Sequence, residues 1–330
     1  MRHGKKVGLV LGSGGARGYA HIGVIDVLTS RGYDVVALSG CSMGALVAGV
    51  YSAGQLKGYR DWVTQLDYLD LLKLVDVTLN PMGAMRAAKV MSKLEELIGE
   101  VNIEDLPIPV TTVATDLVHQ REVWFQNGSL LDAIRASIAV PGVITPSHRG
   151  DQMLVDGGLL NPLPIIPSVA NGADLVIAVN ATAHTPSPVS LESLLPASDL
   201  AREKAREKES TQKNTVEQAG PDRWLSDMRD LTSRWLGNAS SEEAGQPALP
   251  KGADWGRLDI VLAAFDTTQA ALAKYKVAGY PPDLLIEVPK TVCGAYEFHR
   301  AEALIALGKH LAEQALDRYE YAETAKPVTP

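Results

Sequence analysis

Gly40-Cys41-Ser42-Met43-Gly44 fits the pattern G-x-S-x-G. A serine at a sharp strand-to-helix turn is pushed out of its sheet with the hydroxyl exposed, and flanking glycines permit the crowding. The helix that follows sets its positive end beneath the site, which favours developing negative charge. A serine hydroxyl is a weak nucleophile and needs a base. Asp156 is the candidate, since it ends a short apolar run and precedes Gly157-Gly158. Its side chain can then project at the carboxyl edge of a sheet, where open α/β sheets place their ligands. The other reading of Asp-Gly-Gly is a plain turn. Acyl transfer also needs donors for the tetrahedral oxyanion. Within Gly12-Ser13-Gly14-Gly15-Ala16-Arg17-Gly18, the N–H groups of Gly14 and Gly15 can point into a cavity, and Met43, directly after the serine, offers a third. Losing one such donor typically costs ~3 kcal/mol of transition-state stabilisation. Arg17 opens the first helix and could hold the loop or screen charge. Cys41 is a rival nucleophile, although a small buried cysteine is the commoner role.

These groups need two strand–turn–helix units in succession. Val7 to Leu11 is a continuous apolar run ended by Gly12, as expected of a central parallel strand. Ala20, Val24, Val27 and Leu28 then recur at helical spacing before Gly32. Val35 to Leu38 reads as the second strand, and Ala45 to Ala53 as a buried helix packed beneath Gly40 and Gly44. Leu56 to Glu104 is helical in pattern, broken at Pro81-Met82-Gly83. It reads as core helices or as a wall over an acyl pocket. Further strands are expected at Pro109–Ala114, Val123–Phe125, Gln152–Val155, Asp174–Val179 and Asp283–Val288, with helices at Leu130–Ala139 and Phe298–Tyr319. Leu258 to Phe265 resumes strand and helix patterning. The alternation predicts an α/β fold, a mostly parallel central sheet with helices on both faces.

The chain has 330 residues, 46% of them hydrophobic and 21% charged, which suits a soluble globular protein. A net charge of -8 argues against a duplex nucleic-acid partner, which would need a basic footprint. Two cysteines, Cys41 and Cys293, make no disulfide scaffold. The apolar run after Lys5-Lys6 is too short for a signal peptide, so a cytoplasmic location is expected. Residues 184–256 are rich in proline, serine and charge and read as an insertion between a core at 6–183 and its return at 257–319, with a tail at 320–330. Ala201-Arg202-Glu203-Lys204 repeats at once as Ala205-Arg206-Glu207-Lys208, a solvated helix. Trp224, Leu225, Met228, Leu231, Trp235 and Leu236 form an apolar stripe, read as core, a partner surface or a peripheral membrane contact.

Taken together, the motifs resemble the patatin-like phospholipases. Ser13-Gly14-Gly15-Ala16-Arg17-Gly18 matches the family's oxyanion loop G-G-G-x-R-G, with Ser13 in place of its first glycine. Gly40 to Gly44 matches the nucleophile motif, and Asp156-Gly157-Gly158 the D-G-G motif. Ala114-Thr115-Asp116 and Arg135-Ala136-Ser137 with Pro141 look like the bacterial branch that is similar to the catalytic domain of neuropathy target esterase. Only Gly142-Val143-Ile144-Thr145-Pro146 follows the family loosely. The resemblance covers roughly Lys6–Asn180 and, more loosely, Asp259–Leu311. It implies a three-layer patatin-like fold and a Ser42–Asp156 dyad that needs no metal or cofactor. The implied substrates are phospholipids, lysophospholipids or other fatty-acyl esters.

Two rivals stay open at this level. An α/β-hydrolase triad would follow the order Ser, acid, His, which His184, His299 and His310 permit. A nucleotide-binding module would use Gly12-Ser13-Gly14 with Asp34, but Arg17 stands where its third glycine is needed.

Overall fold

Strand β1 (Lys6–Leu11) is buried from Val7 onward because both its faces are covered. β2 (Asp34–Cys41) and β9 (Leu175–Ala183) pair with it in parallel, one on each side. The remaining strands are β3 (Gly83–Met85), β4 (Val110–Asp116), β5 (Arg121–Phe125), β6 (Gly142–Ile144), β7 (Ser147–Arg149), β8 (Gln152–Asp156) and β10 (Leu284–Pro289). In this computed structural model, residues 4–67, 70–71, 74, 76, 83–169, 172–185, 187–206 and 257–324 are described. The main sheet has the order β10-β9-β1-β2-β4-β8-β7, with β5 also on β4. Pairing is parallel from β10 to β4 and antiparallel for β5, β8 and β7. β3 and β6 pair apart from it.

The longer helices are α1 (Ala20–Ser30), α2 (Met43–Ser52), α3 (Leu56–Val63), α4 (Ala88–Ile98), α5 (Leu130–Ser137), α6 (Arg257–Gly279) and α7 (Ala301–Thr324). Alternate strand residues sort the layers, because successive side chains point to opposite faces. Val7, Leu9 and Leu11 join Ile177 and Val179 in a core that takes in α1, α2, α5 and α7. Val10 and Ala178 face the other way, against Leu163, Ile165 and Ala273 of α6. Helices therefore cover both faces of the sheet. α1 and α7 cross closely, since a Cβ on Gly23 would strike the Ile305 carbonyl and one on Gly308 the Ala20 carbonyl.

Three expectations change. The stretch from Leu258 is one helix running on to Gly279, with no strand in it. Asp266, Gln269 and Lys276 lie among its apolar residues and blur the helical pattern. α7 continues to Thr324, into the stretch read as tail, because Glu320 binds Arg31 and Tyr33 while Glu323 binds Lys5. The segment 56–104 holds α3 and α4 with the short strand β3 between them. Pro81-Met82, the stripe Trp224–Leu236, the end of the Ala-Arg-Glu-Lys repeat and residues 325–330 lie outside the described residues. Among the described residues, no helix is long and apolar enough to cross a membrane.

Candidate active site

The two candidate reacting residues are brought together by a fork in the sheet. β2 pairs with β4 only as far as Cys41 opposite Val113. β8 runs the other way and ends with Asp156 opposite Ala114. β5 pairs with Thr112 through Asp116, spanning both stretches, so it occupies the opposite edge of β4. β2 and β8 therefore meet end to end along one edge, and their carboxyl ends face each other at neighbouring positions. The Val113 carbonyl at this junction accepts from Ser137 Oγ at 2.6 Å, which itself accepts from the Ser42 N–H at 2.9 Å. Ser137, on α5, thus ties the serine's backbone to the fork.

Ser42 sits at φ 55° and ψ −125°. That conformation strains a non-glycine residue by about 1–3 kcal/mol. It turns the side chain away from the strand direction before α2 begins, leaving Ser42 6% exposed. Two glycines make the turn possible by close approach. A Cβ on Gly40 would collide with Ala45, and one on Gly44 would collide with the Leu11 carbonyl.

Asp156 is 0% exposed. Its Oδ1 accepts from the Gly158 N–H at 2.8 Å and lies 3.8 Å from the Cys41 thiol. Its Oδ2 makes no hydrogen bond among the described residues. Burial pushes the carboxyl up to about 7, against the opposing pull of the Ser42 hydroxyl, the Gly158 N–H and the Cys41 thiol. Cys41 is itself buried, and burial together with the neighbouring Asp156 charge raises its thiol well above the usual range. A thiol so raised is a poor nucleophile, because only the thiolate attacks. A Cβ on Gly157 would strike the Val113 carbonyl, so the loop after Asp156 presses directly on the fork.

The first glycine turn is held on both sides. Gly12 N–H donates to Val179 O, Ser13 N–H to Pro162 O and Ala16 N–H to Ala295 O, at 3.0, 2.8 and 2.8 Å. Between them, the N–H groups of Gly14 and Gly15 donate no hydrogen bond among the described residues, and neither does that of Met43. Arg17 is buried and donates to Gly14 O at 3.1 Å, Lys290 O at 3.0 Å and Asp266 Oδ1 at 3.0 Å. It holds the loop and does not project into open space. The Met43 side chain packs against Gly18 and receives the Tyr59 hydroxyl at 3.7 Å.

Several supporting residues had no motif to reveal them. His21 on α1 is fully buried, with Nε2 2.8 Å from Gly12 O. Burial lowers its pKa to about 4, against the opposing Gly12 bond, so the ring is neutral and Nε2 donates. Ser13 Oγ donates to Gln269 Oε1 at 3.2 Å. The Tyr296 phenol is raised by burial and by the charges of Asp156 and Asp266. A pattern search for reacting residues does not find His21 or Gln269, because each acts through a backbone carbonyl or a loop.

Among the described residues, the groups that act on the Asp156 carboxyl are the Ser42 hydroxyl, the Gly158 N–H and the Cys41 thiol, with no histidine. The charges that act on His299 are those of Glu297, Arg300 and Arg206. His310 pairs with Gln314 on the surface of α7, and His184 is exposed. Asp34 begins β2 opposite Lys6, at the far end of the strand from the glycine turn. Among the described residues, no group of His, Cys, Asp or Glu is arranged to hold a metal ion.

Fold and fork define an α/β protein with an elbow serine at the carboxyl edge of its sheet. Residues 9–168 match the Patatin-like phospholipase family. An uncharacterized NTE family protein of Mycobacterium tuberculosis is 42% identical over 336 aligned residues, covering 96% of this chain and 92% of that one. The neuropathy target esterase sws of Drosophila persimilis is 34% identical over 169 residues, 49% of this chain and 12% of the other. VipD from Legionella pneumophila, a crystal structure, aligns at a TM-score of 0.43 and 16% identity, over 96% of this chain and 67% of that one. The chain belongs to the NTE family of patatin-like phospholipase proteins. That membership supports lipid acyl hydrolysis in general.

Proposed function

We propose that the protein is a serine lipid acyl hydrolase that cleaves the carboxyl esters of phospholipids or lysophospholipids through a Ser42–Asp156 dyad. The observation that carries this reading is the meeting of a strained, elbow-held Ser42 with a buried Asp156 whose Oδ2 lacks a partner. Ser42 Oγ attacks the ester carbonyl carbon and its proton passes to Asp156. The carbonyl electrons move onto oxygen, where the N–H groups of Gly14, Gly15 and Met43 would hold the negative charge. Collapse of the tetrahedral centre expels the alcohol, which takes the proton from Asp156. Asp156 then deprotonates a water that attacks the acyl-enzyme. The fatty acid departs and Ser42 regains its proton. A base near pKa 7 suits both halves of this cycle, since it must accept and then return a proton at neutral pH. In apo enzymes the nucleophile–base hydrogen bond is often incomplete and tightens on substrate binding, which fits the unpartnered Oδ2.

A fluorophosphonate probe tests the reading. It should label the wild type at Ser42, and Ser42→Ala should abolish both labelling and the hydrolysis of phospholipid and soluble esters. Hydrolysis surviving in pure Ser42→Ala would remove the proposal.

A further inference from the structure

Helix α6 follows residues 184–256 in the chain, yet one of its faces reaches the loops around the site. Asp266, Gln269, Ala273 and Lys276 recur at the spacing of a single helical face. Ala273 seats that face against Val10 and Ala178 of the sheet. Asp266 receives Arg17 of the glycine loop. Lys276 donates to Glu122 at 2.9 Å, and Glu122 also accepts from Asn161 at 2.8 Å, in the chain just beyond Asp156-Gly157-Gly158.

Gln269 stands between these two anchors and is itself buried. Its Oε1 accepts from Ser13 Oγ, the residue directly before Gly14. Its amide nitrogen lies against Gly158, so that a Cβ there would collide with it. The same added Cβ would come 3.0 Å from Asp156 Oδ1, the oxygen that the Gly158 N–H holds. One side chain thus has its oxygen on the glycine loop and its nitrogen on the base loop.

We infer that Gln269, with Ser13 as its partner, is a positioning residue that fixes the spacing between the oxyanion loop and the general base. The inference rests on the dyad reading above. It gives Ser13, which stands where the family pattern has a glycine, a use: its hydroxyl makes a bond that glycine cannot make. A glutamine suits the position because its two polar ends face different loops. The cost of misplacement is large, since an error of about 1 Å in a catalytic constellation can lower the rate about 100-fold.

The test compares the full-length wild type with Ser13→Ala, Gln269→Leu and the double variant. It measures kcat and KM on p-nitrophenyl butyrate, the fluorophosphonate labelling rate, and Tm. Gln269→Leu should lower kcat by about 10-fold or more, with KM within about twofold and labelling slowed in proportion. Ser13→Ala should lower kcat by about threefold, the equivalent of one neutral hydrogen bond. The double variant should fall within about twofold of Gln269→Leu, because both changes remove the same contact. A purely structural role would lower Tm and leave kcat unchanged well below it. Unchanged kcat in a folded Gln269→Leu, or a double variant showing the product of the single losses, overturns the inference. Should Gln269→Leu not fold, Ser13→Ala decides alone: a loss of about threefold supports the role, and wild-type kcat removes it. A wild type that is neither labelled nor active overturns the dyad reading and this one together. An active wild type with unaffected variants removes only the role of Gln269.

Discussion

The groups proposed to react lie in the first half of the chain, and one set of the groups that hold them comes from beyond residue 256. Ser42, Asp156, Gly14, Gly15 and Met43 all precede residue 160. Asp266, Gln269 and the carbonyls of Lys290 and Ala295, which bind the glycine loop, all follow residue 256. The first region is built from tight turns in which added atoms collide with backbone, so its residue types are forced. The second works through polar contacts that several residue types or any peptide carbonyl could supply. The proposed reaction chemistry is therefore written in motifs, whereas the support that comes from beyond residue 256 is spread through a helix and a loop with no pattern of their own.

The sharpest way to break the comparison is at Asp156. Asp156→Asn should lower kcat by about 1,000-fold or more while leaving the loops in place. The wild-type kcat/KM should rise with pH on a limb near 7, as the buried carboxyl ionises. Stability should move in the opposite direction. The folded carboxyl holds its proton up to about 7, whereas the unfolded one releases it near 3.8. The native state thus binds more protons between those values, and stability falls as pH rises through that window. The full effect is on the order of 4 kcal/mol. Urea denaturation should show Asp156→Asn gaining stability over the wild type at pH 8 and losing that advantage towards pH 4. An equal difference at both pH values would mean that the carboxyl is not buried as described.

Arg17 joins the two regions, so it gives the next largest effect. Arg17→Lys keeps the charge but cannot supply three fixed N–H directions to Gly14, Lys290 and Asp266. A loss of about 100-fold in kcat/KM is expected, with a lowered Tm. Asp266→Asn should lose less, since Arg17 keeps both carbonyls. Equal, negligible losses in steady-state assays would show that the glycine loop needs nothing from the C-terminal region.

The smallest effect is at His21, whose burial on α1 acts on stability. The ring stays neutral in the fold down to about pH 4, while the unfolded chain protonates it near 6.5. Here the unfolded state binds more protons, so stability is full above 6.5 and falls as pH drops towards 4. By pH 5 the loss is about 2 kcal/mol. His21→Asn, which can still donate towards Gly12 O, should flatten that acid-side loss in denaturation curves. A variant as pH-sensitive as the wild type between pH 5 and 6.5 would assign the loss to other groups.

From the sequence alone, the two strand–turn–helix units, the glycine-flanked Ser42, Asp156 before its glycines and the α/β class were legible. Each rests on local sterics or on short-range periodicity, and both are properties of neighbouring residues. Gly44 can be only glycine because Leu11 lies against it, and that demand shows as a motif. Four features needed the tertiary structure. Antiparallel β8 meets parallel β2 end to end on one edge of β4, because β5 already fills the other edge. α6 hides from pattern reading because the face it turns to the site is polar. His21 reaches a carbonyl of the preceding turn, and Ser13 meets Gln269 across 256 positions of chain. The reason is physical: local strain selects residue types at a turn, while contacts between distant segments depend on where the packed layers bring them.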